Sequence, residues 1–204
     1  MSTRIALVDD HRVVARSLKA YLESFAGLQV IGIAASGEDL LAKLDQWQPD
    51  IVIQDLLLPG GIDGVETTRR VLKRSPDTRV IVLTASTDEA RMLGALRAGA
   101  RGYVRKDAEP EVLLDAVRAV AAGRRFVDAP AQAPVEDLTA RERDVLARVL
   151  RGASNREIAD ELGVGEETVK THVAHLLNKL QAENRVQAVA RALKLGLVDL
   201  DELD

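Results

Sequence analysis

The sequence predicts an α/β fold over residues 1–126, a doubly wound parallel sheet of five strands, and a separate all-α domain of four helices over residues 138–204. Three observations predict it. Short runs rich in β-branched residues alternate with segments of helical period through the first part. That alternation stops at VDAPAQAPVED, residues 127–137, whose two Pro and several Ala carry no amphipathic period and read as a linker. After it no strand-like run appears.

The strand candidates, in order, are RIALVDD, LQVIGIAAS, DIVIQDL, RVIVLTAS and RGYVRKD, punctuated by Gly, Ser or Asp. The first helical segment sets Val14, Leu18, Tyr21, Leu22 and Phe25 on one predicted face, and Pro110 opens the last, with Leu113, Leu114, Val117 and Val120 inward. Five strands joined by helical crossovers fit strand order 2-1-3-4-5. The helical part reads as LTARERDVLARVLRG, SNREIADELG, EETVKTHVAHLLNKL and ENRVQAVARALKLG. Thr139 and Glu142 have capping-box spacing, and Gly152, Gly163 and Gly196 stand where helices should stop. The tail VDLDELD is acidic and is expected to fray.

Composition removes several function classes. The 204 residues include no Cys, which excludes disulfides, thiolate metal sites and Cys nucleophiles. A net charge of −4 is ordinary for a soluble chain and does not preclude a local DNA-binding face. Nothing approaches the roughly 20 apolar residues of a membrane span, and the N-terminus meets two Asp within ten residues, unlike a signal peptide. The expected compartment is the cytoplasm.

In the order 2-1-3-4-5, ligands bind at the carboxyl ends of the first and third strands. Asp9 and Asp10 end the first and Asp55 the third. Three converging carboxylates require protons or a cation, and Mg²⁺ suits an oxygen-only set. Thr84 ends the fourth strand and Lys106 follows the fifth, so a hydroxyl and an ammonium face the acids. These are the parts that hold a phosphoryl group, with Asp55 as an aspartyl nucleophile. His11 reads as the start of a surface helix rather than a ligand.

VDDHRVV, IVIQDLLLP, VLTAS and GYVRKD resemble the receiver domain of two-component response regulators, a flavodoxin-like fold. The resemblance implies that Asp55 accepts phosphate from a sensor histidine kinase. It implies Asp9, Asp10, Asp55 and the carbonyl of Leu57 as Mg²⁺ ligands, Thr84 and Lys106 as phosphate-handling groups, and Thr84 with Tyr103 as the switch pair. Tyr103 equally fits plain sheet packing. The stretch DLLLPGGIDG is one residue longer after Pro59 than is usual, so its loop is expected to be displaced or bulged, and Gln54 is polar for an inner strand end.

Competing phosphate readings fit less well. GIAASGE places Glu38 where a P-loop needs Lys. A phosphohydrolase would want an acid two residues after Asp55, where Leu57 stands. Leu57 cannot orient water, so a slow to moderate self-dephosphorylation is expected rather than enzymatic turnover. A ligand-sensing, unphosphorylated first domain remains an alternative.

Residues 154–180 read as helix, Gly turn, helix, with Ile158, Ala159 and Leu162, then Val169, Val173, Leu176, Leu177 and Leu180, inward. Lys170, Thr171, Ala174, His175 and Lys179 fall off the apolar stripe. The motifs E-R-x-V-L, S-N-x-E-I-A and T-V-K-x-H resemble the NarL/FixJ, LuxR-type helix-turn-helix domain. That implies base contacts from Lys170, Thr171 and Ala174, phosphate contacts from Ser154, Asn155, Thr168, His172 and Lys179, and double-stranded DNA as partner. Ten basic against eight acidic residues over 138–198 give only +2, so affinity should lean on a homodimer, expected through the small Ala face of the final helix.

Overall fold

The computed structural model describes residues 2–58, 60–86, 88–128, 138–195 and 197–198. Most of the expected linker, Pro59, Gly196 and the end of the acidic tail lie outside them. The chain divides into two units, Met1–Asp128 and Ala129–Asp204.

The first unit runs β1 Thr3–Val8, α1 Arg12–Glu23, β2 Leu28–Ala34, α2 Gly37–Trp47, β3 Ile51–Gln54, α3 Gly64–Arg74, β4 Arg79–Thr84, α4 Glu89–Arg97, β5 Gly102–Arg105, α5 Pro110–Ala121 and β6 Phe126–Val127. Every strand pair is parallel, in the order β2-β1-β3-β4-β5-β6. The sixth strand is a departure from expectation. Phe126 and Val127 pair with Gly102 and Tyr103, and Asp128 donates its N–H to the Tyr103 carbonyl (2.8 Å), so the sheet continues into residues read as linker.

Alternation along the strands builds two cores. Ile5, Leu7, Ile51, Ile53, Ile81 and Leu83 face Leu22, Leu113, Val117 and Val120 of α1 and α5. Ala6, Val8, Val52 and Val80 face Leu40 and Leu44 of α2 and Val71 of α3. In α1 the buried positions are Ala15 and Leu22; Val14 is 37% exposed and Val13 79%, because the helix turns its small Ala15 toward the sheet instead.

The second unit runs α6 Ala140–Leu150, α7 Asn155–Leu162, α8 Glu166–Lys179 and α9 Arg185–Lys194. Capping boxes start α6 (Thr139, Glu142) and α7 (Ser154, Glu157), and Gly163 at φ +64° ends α7 in the left-handed conformation. Val145, Leu146, Leu150, Ile158, Val169, Leu176 and Leu180 form the core. Ala188, Ala190 and Ala192 are fully buried in this same unit, so the alanine face of α9 expected to meet a second copy is spent on its own domain.

Glu142 joins the two ends of this core. Only 4% exposed, its carboxylate accepts from the Thr139 N–H (2.7 Å), the Thr139 hydroxyl (2.9 Å) and Lys179 Nζ (2.9 Å). Burial raises its pKa, but these hydrogen bonds more than offset that and hold it below the ordinary 4.5. A folded value below the unfolded one means stabilisation above pH 4.5 that disappears as pH falls through the depressed value. We expect thermal unfolding of this unit to shift down in that acid window, and Glu142→Gln to remove the pH dependence while costing about 2 kcal/mol at neutral pH, because a buried carboxylate that accepts from Lys179 is replaced by a neutral amide. Equal acid sensitivity in wild type and variant would refute it.

Candidate functional site

Three strand ends meet at one point. Asp9 follows β1, and its N–H continues the ladder to the Ala34 carbonyl (3.1 Å); Asp55 follows β3, and its N–H reaches the Val8 carbonyl (2.9 Å). Lys106 follows β5, with its N–H on the Thr84 carbonyl (2.8 Å). The Lys106 ammonium donates to Asp9 Oδ2 and to Asp55 Oδ2, each at 2.6 Å. Both carboxylates are buried, at 4% and 6% exposure. Burial alone would lower the Lys106 pKa, but the hydrogen bonds to Asp55 and Asp9 carry it above its ordinary value. It stays charged.

Asp9, Asp10, His11 and Asp55 each bring a ligand atom within 4.8 Å of the others. His11 starts α1 as expected, yet its Nδ1 lies 2.9 Å from Asp10 Oδ1 and 3.2 Å from Asp9 Oδ1, so it belongs to the cluster. Its position directly after the acidic pair was the available signal. Three carboxylates against one ammonium leave two uncompensated negative charges, and an oxygen-rich hollow of that charge fits a hard divalent cation. The Leu57 N–H steadies Asp55 Oδ1 at 3.0 Å, and the Leu57 side chain is exposed.

Thr84 and Tyr103 meet at Ser86, a residue the sequence did not nominate as their joint. The fully buried Thr84 Oγ1 accepts from the Ser86 N–H (3.1 Å), and Tyr103 Oη donates to the Ser86 carbonyl (3.2 Å). Tyr103 is 3% exposed, and burial pushes its hydroxyl up to about 12. It is therefore both packed in the sheet and hydrogen-bonded to the β4–α4 connection.

The long loop after β3 is tied at two points. Glu38 Oε1, from α2, accepts from the N–H groups of Gly61 (2.9 Å) and Ile62 (3.0 Å), while Gly60 takes φ +114°. Hydrogen bonds from its own N–H, from Ser36 and from these two amides hold the Glu38 carboxyl below its usual range. Gln54, fully buried, donates Nε2 to the Gly64 carbonyl (2.5 Å) and to Thr68 Oγ1 (3.0 Å), pinning the start of α3 to the end of β3. That accounts for a polar residue at an inner strand end.

In the second unit the outward side of α8 carries Thr168, Lys170, Thr171, Ala174 and His175, all exposed, while His172 is half-buried. Lys170 Nζ sits 2.6 Å from Glu167 and 3.8 Å from Glu166. Ser154 is exposed, and its hydroxyl caps α7 through the Glu157 N–H (3.3 Å). Asn155 Oδ1 accepts from Arg185. Lys179 is not gathered with the others, being held by Glu142 at the opposite end of the helix. Its helical angle alone could not reveal a partner 37 residues earlier.

Comparison with known proteins gives two family matches: the response regulator receiver domain over residues 5–118, and the luxR family of bacterial regulatory proteins over residues 136–192. The DNA-binding transcriptional activator DevR/DosR of Mycobacterium tuberculosis is 39% identical over 206 residues, covering 94% of each chain. The uncharacterized transcriptional regulatory protein YhcZ of Bacillus subtilis is 36% identical over 209 residues, covering 95% of this chain and 97% of its own. Among solved structures, the response regulator ChrA of a heme-sensing two-component system is similar at 37% identity and TM-score 0.53, with 97% of this chain and 99% of that one covered.

Proposed function

The chain belongs to the response regulators with a LuxR-family DNA-binding half, a family of transcriptional regulators and not of enzymes, and we propose that phosphorylation of Asp55 by a sensor histidine kinase controls its dimerisation and DNA binding. The observation that carries this reading is the pair of 2.6 Å contacts from one ammonium to carboxylates on two different strand ends. Gathering two buried carboxylates around one ammonium at the carboxyl ends of the strands carries a desolvation cost, and charges assembled so in one hollow are what a functional site requires.

An Asp55 oxygen attacks phosphorus, the P–O bond forms as the P–N bond of a phosphohistidine breaks, and the leaving imidazole takes a proton from solvent. Asp9, Asp10, Asp55 and the Leu57 carbonyl would hold Mg²⁺, which when bound supplies positive charge to the non-bridging phosphoryl oxygens. Lys106 is already beside Asp55 and neutralises part of the charge that arrives. The Thr84 hydroxyl turns from the Ser86 N–H toward the phosphoryl oxygen. Ser86 thereby loses its tie to Thr84, and the Tyr103 hydroxyl shifts with it.

On the DNA side, the exposed Lys170, Thr171 and Ala174 enter the major groove, with Thr168, Ser154, Asn155 and His172 near phosphates. Lys179 braces the domain through Glu142. No helix among the described residues is long and apolar enough to cross a membrane, and a cytoplasmic location fits a reader of DNA. Footprinting with the full chain, with and without acetyl phosphate and Mg²⁺, tests the proposal. Protection should tighten with the phosphodonor and weaken by about tenfold in Lys170→Ala; protection indifferent to both would refute it.

A further inference from the structure

The N-terminal end of α8 is acidic, which is unexpected for a helix that faces a polyanion. Glu166 and Glu167 occupy its first turn, and Lys170 is the first base on it. Acidic residues there stabilise a helix by opposing its dipole, and Glu166 can serve that purpose. Glu167 is placed differently. With the buried Val169 as reference and about 100° per residue, Lys170 lies about 100° round the helix, Ala174 about 140°, Glu167 about 160° and Thr171 about 200°. Glu167 therefore stands at the middle of the outward face, between the side chains proposed to read DNA. Its side chain is 86% exposed, against 49% for Lys170.

Resting on the reading of α8 as the DNA-contacting helix, we infer that Glu167 is a specificity-determining residue that selects a cytosine in each half-site. In the major groove the donors are the amino groups of cytosine and adenine; adenine sets its own N7 acceptor beside that donor, so a carboxylate is best matched by cytosine, and against phosphate or the acceptor edges of guanine it is repelled. Residues at the N-terminal end of such a helix are the ones that reach base edges. The Lys170–Glu167 pair at 2.6 Å adds a second consequence. Lys170 has an intramolecular partner in the free protein, and a non-specific phosphate must compete for it, with Glu167 opposing the approach. Correct DNA offers both groups a partner at once, whereas random DNA serves only Lys170. Discrimination then comes from penalising wrong sequences as much as from rewarding the right one.

The test uses the full chain, treated with acetyl phosphate and Mg²⁺, against a pool of random-sequence duplexes, with Glu167→Gln and Lys170→Ala alongside. Gln keeps helix propensity and size, so the fold is retained, which circular dichroism checks. Wild type should enrich a C·G pair at one position per half-site, and changing it should cost wild type about tenfold in affinity. Glu167→Gln should lose the preference at that position alone and bind scrambled duplex severalfold more tightly. If Glu167→Gln enriches the same bases as wild type while Lys170→Ala loses enrichment, the inference about Glu167 is wrong and the reading of the helix stands. If wild type enriches nothing, or Lys170→Ala enriches as wild type does, the reading of the helix fails and takes the Glu167 inference with it.

Discussion

Asp55→Asn is expected to abolish incorporation of phosphate from acetyl phosphate, with no residual acceptor at neutral pH. The amide has no anionic oxygen to attack phosphorus, so the loss is complete rather than graded. Folding should survive. Asn keeps the shape, and its carbonyl can still accept the Leu57 N–H that now reaches Asp55 Oδ1 at 3.0 Å. Lys106 retains Asp9 at 2.6 Å, and one of three crowded negative charges is gone. The thermal midpoint should stay level or rise, because the repulsion that a cation would otherwise relieve is reduced. Intact-mass measurement after incubation with acetyl phosphate and Mg²⁺ reads the result directly. Wild type should gain one phosphoryl group and Asp55→Asn none. Equal labelling of both would move the acceptor elsewhere, and failure of wild type to label would favour the ligand-sensing alternative. Many turnovers on phosphomonoesters would favour a hydrolase.

Side chains that act at the ends of strands were legible, because a strand's period and its terminating polar residue are both local. Asp9, Asp55, Thr84 and Lys106 are placed that way, and all four stand where β1, β3, β4 and β5 end or one residue beyond. What stayed hidden depends on backbone groups or on distant partners. Ser86 joins Thr84 to Tyr103 through its own N–H and carbonyl, which any residue possesses. Gln54 looked misplaced because its partners, the Gly64 carbonyl and the Thr68 hydroxyl, are reached only once α3 has turned back on β3. The strand Phe126–Val127 is too short to carry a period, and the Pro-rich residues after it masked it. The resemblance puts Lys179 at a DNA phosphate, and the ion pair it makes with a buried carboxylate on α6 depends on a partner that no local pattern reveals. Glu38, whose charge excludes a P-loop, fixes the lengthened loop by two amide hydrogen bonds.

Gly64→Ala is the substitution we expect to damage the fold and the phosphoryl chemistry together. Gly64 opens α3 directly beneath the acceptor, and its N–H donates to the Leu56 carbonyl at 3.1 Å. A Cβ on Gly64 would lie 2.7 Å from the Asp55 carbonyl oxygen, 2.7 Å from Leu56 Cα and 2.9 Å from the Leu56 carbonyl oxygen. All three are backbone atoms, so no side-chain rotation can make room, unlike at Gly61, where the nearest atom is the end of the Glu38 side chain. Relief requires α3 to lift from β3, which strains the Gly64 N–H bond to Leu56 and the Gln54 bond to the Gly64 carbonyl, or else requires residues 55–56 to move. Overpacking of this kind costs about 3 kcal/mol, and here part of the displacement falls on the residue that must meet phosphorus. Chemical denaturation should show that loss of stability in the first unit. Acetyl phosphate labelling under conditions where the variant remains folded should be slowed by at least about tenfold, since near-attack geometry tolerates little displacement. The control is Gly61→Ala, where the flexible Glu38 carboxylate can yield, and which should label close to the wild-type rate. A Gly64→Ala protein with wild-type stability and labelling would mean that the close approach of α3 to the acceptor strand places no constraint on Asp55.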